Sequence, residues 1–208
     1  MKRGSILTGG MSIAALVAAL STAPARADNT IVLPRPGQVG VGISGGYGSL
    51  LKSGDLGGLF GTGPTLGVRL RYRMRYERAI GLSFESQHFD IRQFEPHFPA
   101  SDTTLDGRSD MRFTLSGIEF SQLFGTRTRA TKMLMVGAGI AQGSGRTTGG
   151  DTWFPGDGTY VSAGAGVEYF FFRSWAWDLS TRYMAVFLPT QRVHDVQAAL
   201  GVMFYASY

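Results

Sequence analysis

The sequence predicts an all-β protein, an eight-stranded antiparallel up-and-down barrel whose strands cross a membrane. In eight segments, apolar side chains alternate with small or polar ones, which is the two-residue period of a β-strand. Each segment is about 11 to 14 residues long, whereas strands of soluble sheets average about five or six and membrane-crossing strands need about ten. The connections between the segments alternate between long and short, as they do in membrane barrels.

The predicted strands follow one another along the chain after an N-terminal lead-in. In chain order they are Val39–Leu51, Thr65–Tyr76, Ala79–Ile91, Met111–Phe124, Lys132–Gln142, Tyr160–Phe172, Trp175–Phe187 and Val193–Tyr205. The alternation is interrupted near His88 in the third strand and changes phase at Gly117 in the fourth. Before that glycine, Met111, Phe113 and Leu115 are assigned to the outer face. A β-bulge or glycine kink causes such a change, so we expect one at each place.

Long connections follow the first, third and fifth predicted strands, and short ones follow the second, fourth and sixth. The long ones are Lys52–Gly63, Arg92–Asp110 and Gly143–Thr159, and the short ones are Glu77–Arg78, Gly125–Thr131 and Arg173–Ser174. Long loops therefore share one rim of the predicted barrel and short turns share the other. Because loops on a rigid scaffold carry binding, the long-loop rim is expected to hold any specific contact with a ligand or another surface.

The N-terminal segment has the three parts of a secretory signal peptide. Lys2 and Arg3 form a basic start, an apolar stretch covers 11–20, and Ala25-Arg26-Ala27 provides the small-x-small cleavage pattern. We predict cleavage after Ala27, which divides the chain into a signal peptide, 1–27, and a barrel domain, 28–208. The segment carries three of the positive charges, so the net charge of +5 falls to about +2, which removes the argument for nucleic-acid binding.

The stretch GVRLRYRMRYE, residues 67–77, indicates which face of the strands is inside, because its apolar and arginine residues alternate strictly. Elsewhere the polar faces combine glycine with a few large charges, which a solvent-facing sheet would not favour because glycine weakens a strand. An eight-stranded barrel is just wide enough to be filled by side chains, so small residues make room for long ones. The polar faces are therefore predicted to point inward and the apolar faces to contact lipid.

The inward charged residues are predicted to form a network, because buried charge is costly unless it is paired. If Arg75 faces Ala79 across the turn after the second strand, Arg69 lies opposite Glu85, within one register step. Glu119 joins the network if the change of phase in the fourth strand turns it inward. The predicted network comprises Arg69, Arg71, Arg73, Glu85, Glu168, Asp178 and Arg182, with Arg75 as a fifth inward arginine.

Aromatic residues concentrate near the ends of the apolar faces, as expected of rings that prefer a membrane–water interface. Near the short-turn rim the predicted aromatic girdle comprises Tyr72, Tyr76, Tyr169, Phe171, Trp175 and Trp177, with Phe124 close by. Near the long-loop rim a second girdle is predicted from Phe84, Phe113, Tyr160, Tyr183 and Phe187. Two such girdles would fix the depth of the barrel in the bilayer.

Three stretches, VGAGIAQ, SAGAGVEYFFFRSWAWDLSTRYM and the closing VQAALGVMFYASY, resemble the outer-membrane β-barrel domain family. That family includes OmpX-like and opacity-type surface antigens and the membrane domain of outer-membrane protein A. The resemblance implies a monomer in the outer membrane of a Gram-negative-type bacterium, surrounded by outer-membrane lipid and lipopolysaccharide. It also implies a C-terminal signal for the barrel assembly machinery, carried here by Phe204, Tyr205 and Tyr208.

The predicted function is a structural or surface-interaction role for a barrel with a plugged interior, without a cofactor. A narrow channel for small solutes or anions is the alternative, and it would be lined by Arg69, Arg71 and Arg73. Eight strands leave little lumen after side chains fill it, which favours the plugged interior.

An outer-membrane lipid-modifying enzyme is a less favoured alternative. Nucleophilic catalysis needs a serine, a histidine and an acid within reach of one another. The best available group is Ser86 and His88 with Glu85 or Asp90, but Glu85 points to the opposite face of its strand. His88, Asp90 and His97 are a weak set for a metal, because scattered loop residues of these types are usually solvated. No catalytic, cofactor-binding or metal site is therefore predicted.

Overall fold

Eight antiparallel strands form a closed up-and-down barrel in the computed structural model, which confirms the predicted fold class. The described residues are 36–51, 54–91, 108–147 and 149–206, so the predicted signal peptide and its cleavage site lie outside them. The strands are β1 Val39–Leu50, β2 Thr62–Arg75, β3 Arg78–Asp90, β4 Arg108–Phe124, β5 Ala130–Thr147, β6 Thr152–Phe170, β7 Trp175–Phe187 and β8 Arg192–Ala206. A short helix, α1, covers Gly54–Leu59 between β1 and β2.

The barrel closes where β1 pairs with β8. Ile43 in the middle of β1 lies opposite Val68 of β2 on one side and Val202 of β8 on the other. Closure leaves no sheet edge whose backbone groups would need water, and lipid offers none.

The outer and inner faces have the polarity of a barrel in lipid. On the outer face Ile43 is 67% exposed and Leu66 is 70% exposed, whereas Arg71 on the inner face is only 2% exposed. A soluble barrel would bury the first two and expose the third. Along β2, exposed and buried residues alternate regularly from Thr62 to Arg73.

The β3–β4 ladder is continuous, so the bulge predicted at Gly117 is wrong. On the β2 side, the pairs Thr65↔Gln87 and Phe60↔Ile91 differ by one residue in register, so an irregularity does lie beside His88. Pairing of β3 with β4 runs without a shift from Arg78↔Gln122 to Asp90↔Asp110. Consequently Met111, Phe113 and Leu115 point inward and are buried, contrary to their assignment to the outer face. The change of phase in the sequence reflects a change in the interior itself, which is apolar near the long-loop rim and charged farther down.

Arg75 does not point into the barrel. A register shift lies between Arg73 and Arg75, so that Arg73 is opposite Ala79 and Arg75 is opposite Arg78. The predicted Arg75–Ala79 pairing is therefore wrong, and the Arg75 side chain is exposed at the short-turn rim. β2 sends three arginines inward, and the fourth remains in solvent because the ladder is irregular where the strand ends.

The segment 143–159 is a β-hairpin rather than the loop that its glycine, threonine and aspartate content predicted. β5 and β6 continue through it to the pair Arg146↔Thr152, with one register shift between Gly143 and Gly145. Composition alone favoured a loop, but each strand has a partner that supplies backbone hydrogen bonds. The predicted loop Arg92–Asp110 falls mostly outside the described residues.

An apolar cluster closes the long-loop end of the interior. We call it the upper cluster, and its buried members are Leu50, Leu56, Phe60, Phe89, Met111, Phe113, Leu115, Ala141, Tyr160, Met184, Val186, Leu188 and Val193. Phe113 and Tyr160 belong to it, so their assignment to an outer aromatic girdle is wrong; Phe84, Tyr183 and Phe187 are exposed outside. Among the described residues, no helix is long and apolar enough to cross a membrane.

Helix α1 contributes the top of the upper cluster. Leu56 is 1% exposed, and its backbone N–H donates to Oε1 of Gln191, 3.2 Å away in the β7–β8 turn. Phe60, just after the helix, stacks on Trp153 of β6 with 5.9 Å between ring centroids. The helix is thus held against both sides of the barrel mouth.

The substitution Leu56→Asp is expected to release α1 from the mouth without unfolding the strands. A carboxylate without a partner is too costly in the upper cluster, so the helix would move into water. Hydrogen exchange of residues 54–60 should increase at least tenfold while the heat-modifiable migration of the barrel on gels stays unchanged. Leu51→Asp is the control, because Leu51 lies in the same connection and is already 42% exposed. Equal protection of 54–60 in both variants would contradict the assignment.

Candidate functional site

The interior below the upper cluster is filled by charged side chains, and glycines make the space for them. A Cβ atom at Gly164 would collide with the Arg182 side chain, and one at Gly67 would lie 2.8 Å from Cγ of Glu85. Glycine weakens a strand, so these residues are best explained by the volume that their neighbours occupy. The sequence places small and long residues side by side on the same inward face.

Glu168 lies at the lower centre of the charged layer and is completely buried. Arg71 donates from Nη1 to its Oε1 at 3.0 Å, and Arg73 forms an ion pair with its other carboxylate oxygen. The Tyr205 hydroxyl donates to Oε1 as well. One carboxylate from β6 thus accepts from two strands that are not its neighbours, β8 beyond β7 and β2 across the lumen.

Asp178 of β7 provides the second bridge to β2. Its Oδ2 accepts from Nη2 of Arg71 at 3.1 Å, and its Oδ1 accepts from Nη1 of Arg69 at 3.4 Å. Arg69 also approaches the Ser180 hydroxyl at 3.3 Å. Two neighbouring arginines of one strand are therefore held by a single aspartate.

Glu85 and Glu119 join Arg182 to the same network. Arg182 forms an ion pair with Glu85 and lies 3.6 Å from Oε2 of Glu119, and it donates to Oε1 of Gln197 at 2.6 Å. Glu85 also lies 3.6 Å from Arg69, and Glu119 lies 3.8 Å from Arg71. Every member is therefore linked to every other through shared partners, across β2, β3, β4, β6, β7 and β8.

The charges in this layer balance. Four arginines meet four carboxylates, namely Arg69, Arg71, Arg73 and Arg182 with Glu85, Glu119, Glu168 and Asp178, all 6% exposed or less. Asp195 lies above them, where Oδ2 accepts from Nε2 of Gln87 at 3.1 Å. Arginine suits this arrangement because its planar group carries five donors and can serve several carboxylates. The layer can therefore neutralise itself without an ion from outside.

The lower end of the interior is apolar again. Two buried groups lie there, Ala79, Leu123, Met133 and Met135 in one and Phe170, Ala176, Met203 and Tyr205 in the other. The Arg73 guanidinium lies over both rings of the second group, 5.0 Å from the Tyr205 centroid and 5.7 Å from that of Phe170. Such contacts stabilise a cation that has left water. The charged layer thus lies between two apolar layers.

The described residues leave little free space beside the charged layer. A gap beside Arg69 and Asp178, bordered also by Gly42, Ser44, Gly201 and Met203, is too small to admit a water molecule. An eight-stranded interior is expected to be filled in this way.

The structure brings all seven predicted network residues together. Arg69 lies opposite Ser83 rather than Glu85 in the ladder, and Glu85 is one diagonal step away, near enough for contact. Sequence reasoning missed Gln197, which accepts from Arg182. It also missed Tyr205, which was assigned only to the C-terminal assembly signal. Its parity along β8, two residues from the inward Met203, was the available indication.

Residues of the predicted short-turn girdle lie on the outer surface. Tyr72, Tyr76, Tyr169, Trp175 and Trp177 are all exposed, and Phe171 packs against Trp177 at 5.5 Å between centroids. Phe204 is also outside, where its ring lies 5.0 Å from that of Trp175. The assembly signal remains a prediction, since Tyr208 lies outside the described residues and Tyr205 faces inward.

The residues weighed for catalysis do not converge. Glu85 is buried in the charged layer, whereas Ser86 and His88 lie on the other side of β3. His88 Nε2 is 3.5 Å from Oδ1 of Asp90, both partly exposed near the long-loop rim. Within the described ranges no three histidine, aspartate or glutamate residues are grouped so as to hold a metal ion, and His97 lies outside those ranges.

Comparison with known proteins agrees with this architecture. Residues 12–204 match the family described as Outer membrane protein beta-barrel domain. Neisserial surface protein A has a TM-score of 0.56 at 15% identity, covering 80% of this chain and 95% of that one. OprG from Pseudomonas aeruginosa gives 0.56 at 12%, covering 86% and 100%. The outer membrane protein AlkL gives 0.50 at 14%, covering 89% and 96%. A comparison with curated protein sequences found no significant match.

Proposed function

The chain belongs to the outer membrane protein beta-barrel domain family, and we propose that it is a plugged barrel with a structural or surface-interaction role. As a member of that family it is an outer-membrane protein. The observation that carries the proposal is the sequence of layers in the lumen, in which a self-neutralised charged layer lies between two apolar ones. A solute would have to displace both apolar layers and separate ion pairs that are out of reach of water.

The alternative of an anion channel lined by Arg69, Arg71 and Arg73 is less well supported by these contacts. Each of the three guanidinium groups already has a carboxylate partner within the barrel. An anion passing through would need to compete with those carboxylates in a medium where a buried charge without its partner is costly. Their positive charge is therefore not available to a permeating ion.

Purified protein in planar lipid bilayers is expected to show no steady conductance. A porin inserted into the same bilayers provides the positive control, and heat-modifiable migration on gels establishes that the tested sample is folded. A steady, anion-selective conductance from the folded wild-type protein would contradict the plugged interior and would favour the channel.

A surface-interaction role is supported by the long-loop rim. The β5–β6 hairpin is paired as far as Arg146 and Thr152, and Phe154 on it is 74% exposed. An exposed aromatic residue on a paired hairpin is suited to contact lipopolysaccharide or another surface. The proposal also includes a monomer, cleavage of a signal peptide after Ala27, and no catalysis.

Mass spectrometry of lipid A incubated with the protein should show no loss of acyl chains. N-terminal sequencing of the mature protein should give a sequence that begins at Asp28.

A further inference from the structure

Six cationic side chains cluster at the short-turn rim. Arg75 and Arg78 lie opposite each other at the β2–β3 turn. Arg127 and Arg129 lie in the β4–β5 turn, and Arg173 lies in the β6–β7 turn. Lys132 lies on the outer face of β5, near the start of the strand. Four of the five arginines, Arg75, Arg78, Arg127 and Arg173, are exposed. Among the described residues of these three turns, Glu77 is the only acidic one. The rim therefore carries a strong excess of positive charge.

The described part of the opposite rim has no such excess. Its described residues of charged type are Arg108, Arg112, Arg146 and Arg192 together with Asp55, Asp90, Asp110, Asp151 and Asp157. In addition, none of the six cations at the short-turn rim forms an ion pair with a described residue, whereas every arginine of the charged layer does. Among the described residues, the excess of positive charge is thus at the short-turn end of the barrel.

The aromatic girdle fixes the position of these cations relative to a bilayer. Tyr76 directly follows Arg75, Arg173 is followed after one residue by Trp175, and Lys132 is paired with Phe124. Tyrosine and tryptophan prefer the headgroup level of a membrane. Cations interleaved with them lie at the level of the lipid phosphates. The turn that carries Arg127 and Arg129 is also ordered, since the Thr128 hydroxyl bonds the carbonyls of Gly125 and Ala130 at 2.8 and 2.9 Å.

We propose that the short-turn rim, formed by Arg75, Arg78, Arg127, Arg129, Lys132 and Arg173, binds the phosphate groups of anionic phospholipids in the leaflet that surrounds it. Guanidinium groups match phosphate oxygens in geometry, and basic residues next to a membrane are attracted to anionic lipid. A zwitterionic headgroup carries its own cation and would be held less strongly. Because short turns of outer-membrane barrels face the periplasm, this is the periplasmic leaflet. The inference does not depend on whether the interior conducts.

The three tryptophans of the chain allow a direct test. Trp175 and Trp177 lie in the girdle at the short-turn rim, whereas Trp153 lies at the other end. In a Trp153→Phe background, tryptophan emission therefore reports lipid at the proposed rim. The protein is reconstituted in phosphatidylcholine bilayers with brominated phosphatidylglycerol or brominated phosphatidylcholine, and quenching gives the relative affinity of the two. We expect a preference for phosphatidylglycerol of roughly fivefold, weakened by high salt.

Variants test whether the arginines cause the preference for phosphatidylglycerol. Replacement of Arg75, Arg78, Arg127 and Arg173 by glutamine should bring the ratio close to one, and replacement of the same four by lysine should retain most of it. The control replaces Arg112, Arg146 and Arg192 at the opposite rim by glutamine. It should leave the ratio of the affinities for phosphatidylglycerol and phosphatidylcholine unchanged. If the fourfold glutamine variant does not fold, Arg173→Gln, next to the reporters, should still lower the ratio. An equal affinity for both lipids in the wild type, or a preference that survives the glutamine variants, would overturn the proposal.

Discussion

Replacement of Glu168 by glutamine is expected to destabilise the barrel by about 3 to 5 kcal/mol, the loss typical of removing one partner from a buried ion pair. Glu168 is the only carboxylate in ion-pair contact with Arg73 among the described residues, and it also holds Arg71 and Tyr205. Arg71 keeps Asp178, but Arg73 would remain charged inside the barrel without a counter-charge. Urea unfolding of the protein in lipid vesicles, followed by tryptophan emission, measures the effect.

Two further variants separate the loss of the charge from other causes. Glu77→Gln, in the exposed β2–β3 turn, is the control and should change the free energy of unfolding by less than about 0.5 kcal/mol. Combining Glu168→Gln with Arg73→Gln should cost less than the sum of the single changes, because the unpaired cation is removed as well. Strict additivity of the two substitutions would contradict a direct pair between these residues.

Replacement of Gly139 by valine is expected to destabilise the barrel by about 3 kcal/mol or to prevent folding. Gly139 lies between Gly117 of β4 and Tyr160 of β6 on the inner face. A Cβ atom there would be 2.6 Å from Cα of Gly117 and 2.8 Å from Cε1 of Tyr160, and it would overlap the Ser116 carbonyl oxygen. Because two of these atoms are backbone, a change of side-chain rotamer cannot relieve the collision.

Ala138→Val is the matched control for Gly139→Val. Ala138 is the preceding residue of the same strand, is exposed, and points to lipid between Ile118 and Val161. An added pair of methyl groups has room there, so the free energy of unfolding should change by less than about 0.5 kcal/mol. Equal destabilisation by both variants in vesicle unfolding would show that β-branching in β5, and not the crowded interior at Gly139, is responsible.

Much of the fold could be predicted from the sequence because alternation and barrel topology depend on local patterns. The seventh strand begins at Trp175 and ends at Phe187 in both the prediction and the structure. Strands were predicted too short where glycine and threonine dominate, as at the ends of β5 and β6. In those places the strand is maintained by pairing with its neighbour, which a single segment does not reveal.

The layered lumen is the part that side-chain polarity could not reveal. The rule that apolar residues face lipid holds around the charged layer, but it fails for Phe113 and Tyr160 near the long-loop rim, where the upper cluster fills the mouth. Alternation continued along each strand from Glu119 and from Glu168 would have placed both rings inward, but their apolar character favoured lipid. Alternation likewise indicates that Arg71 points inward, but not that Glu168 and Asp178 are its partners, because that depends on the positions of strands across the barrel.

The ion pairs of the charged layer join residues that are far apart in the chain, and this has a consequence for folding kinetics. Arg71 and Glu168 are separated by 97 residues, and Arg69 and Asp178 by 109. A nascent β2–β3 hairpin can pair Arg69 with Glu85, but the partners of Arg71 and Arg73 are on strands not yet docked, so much of its inner face remains hydrated. We expect the pairing of β1 with β8 to come last, to expel that water and to complete the remaining pairs together. We therefore expect slow, highly cooperative closure rather than strand-by-strand insertion.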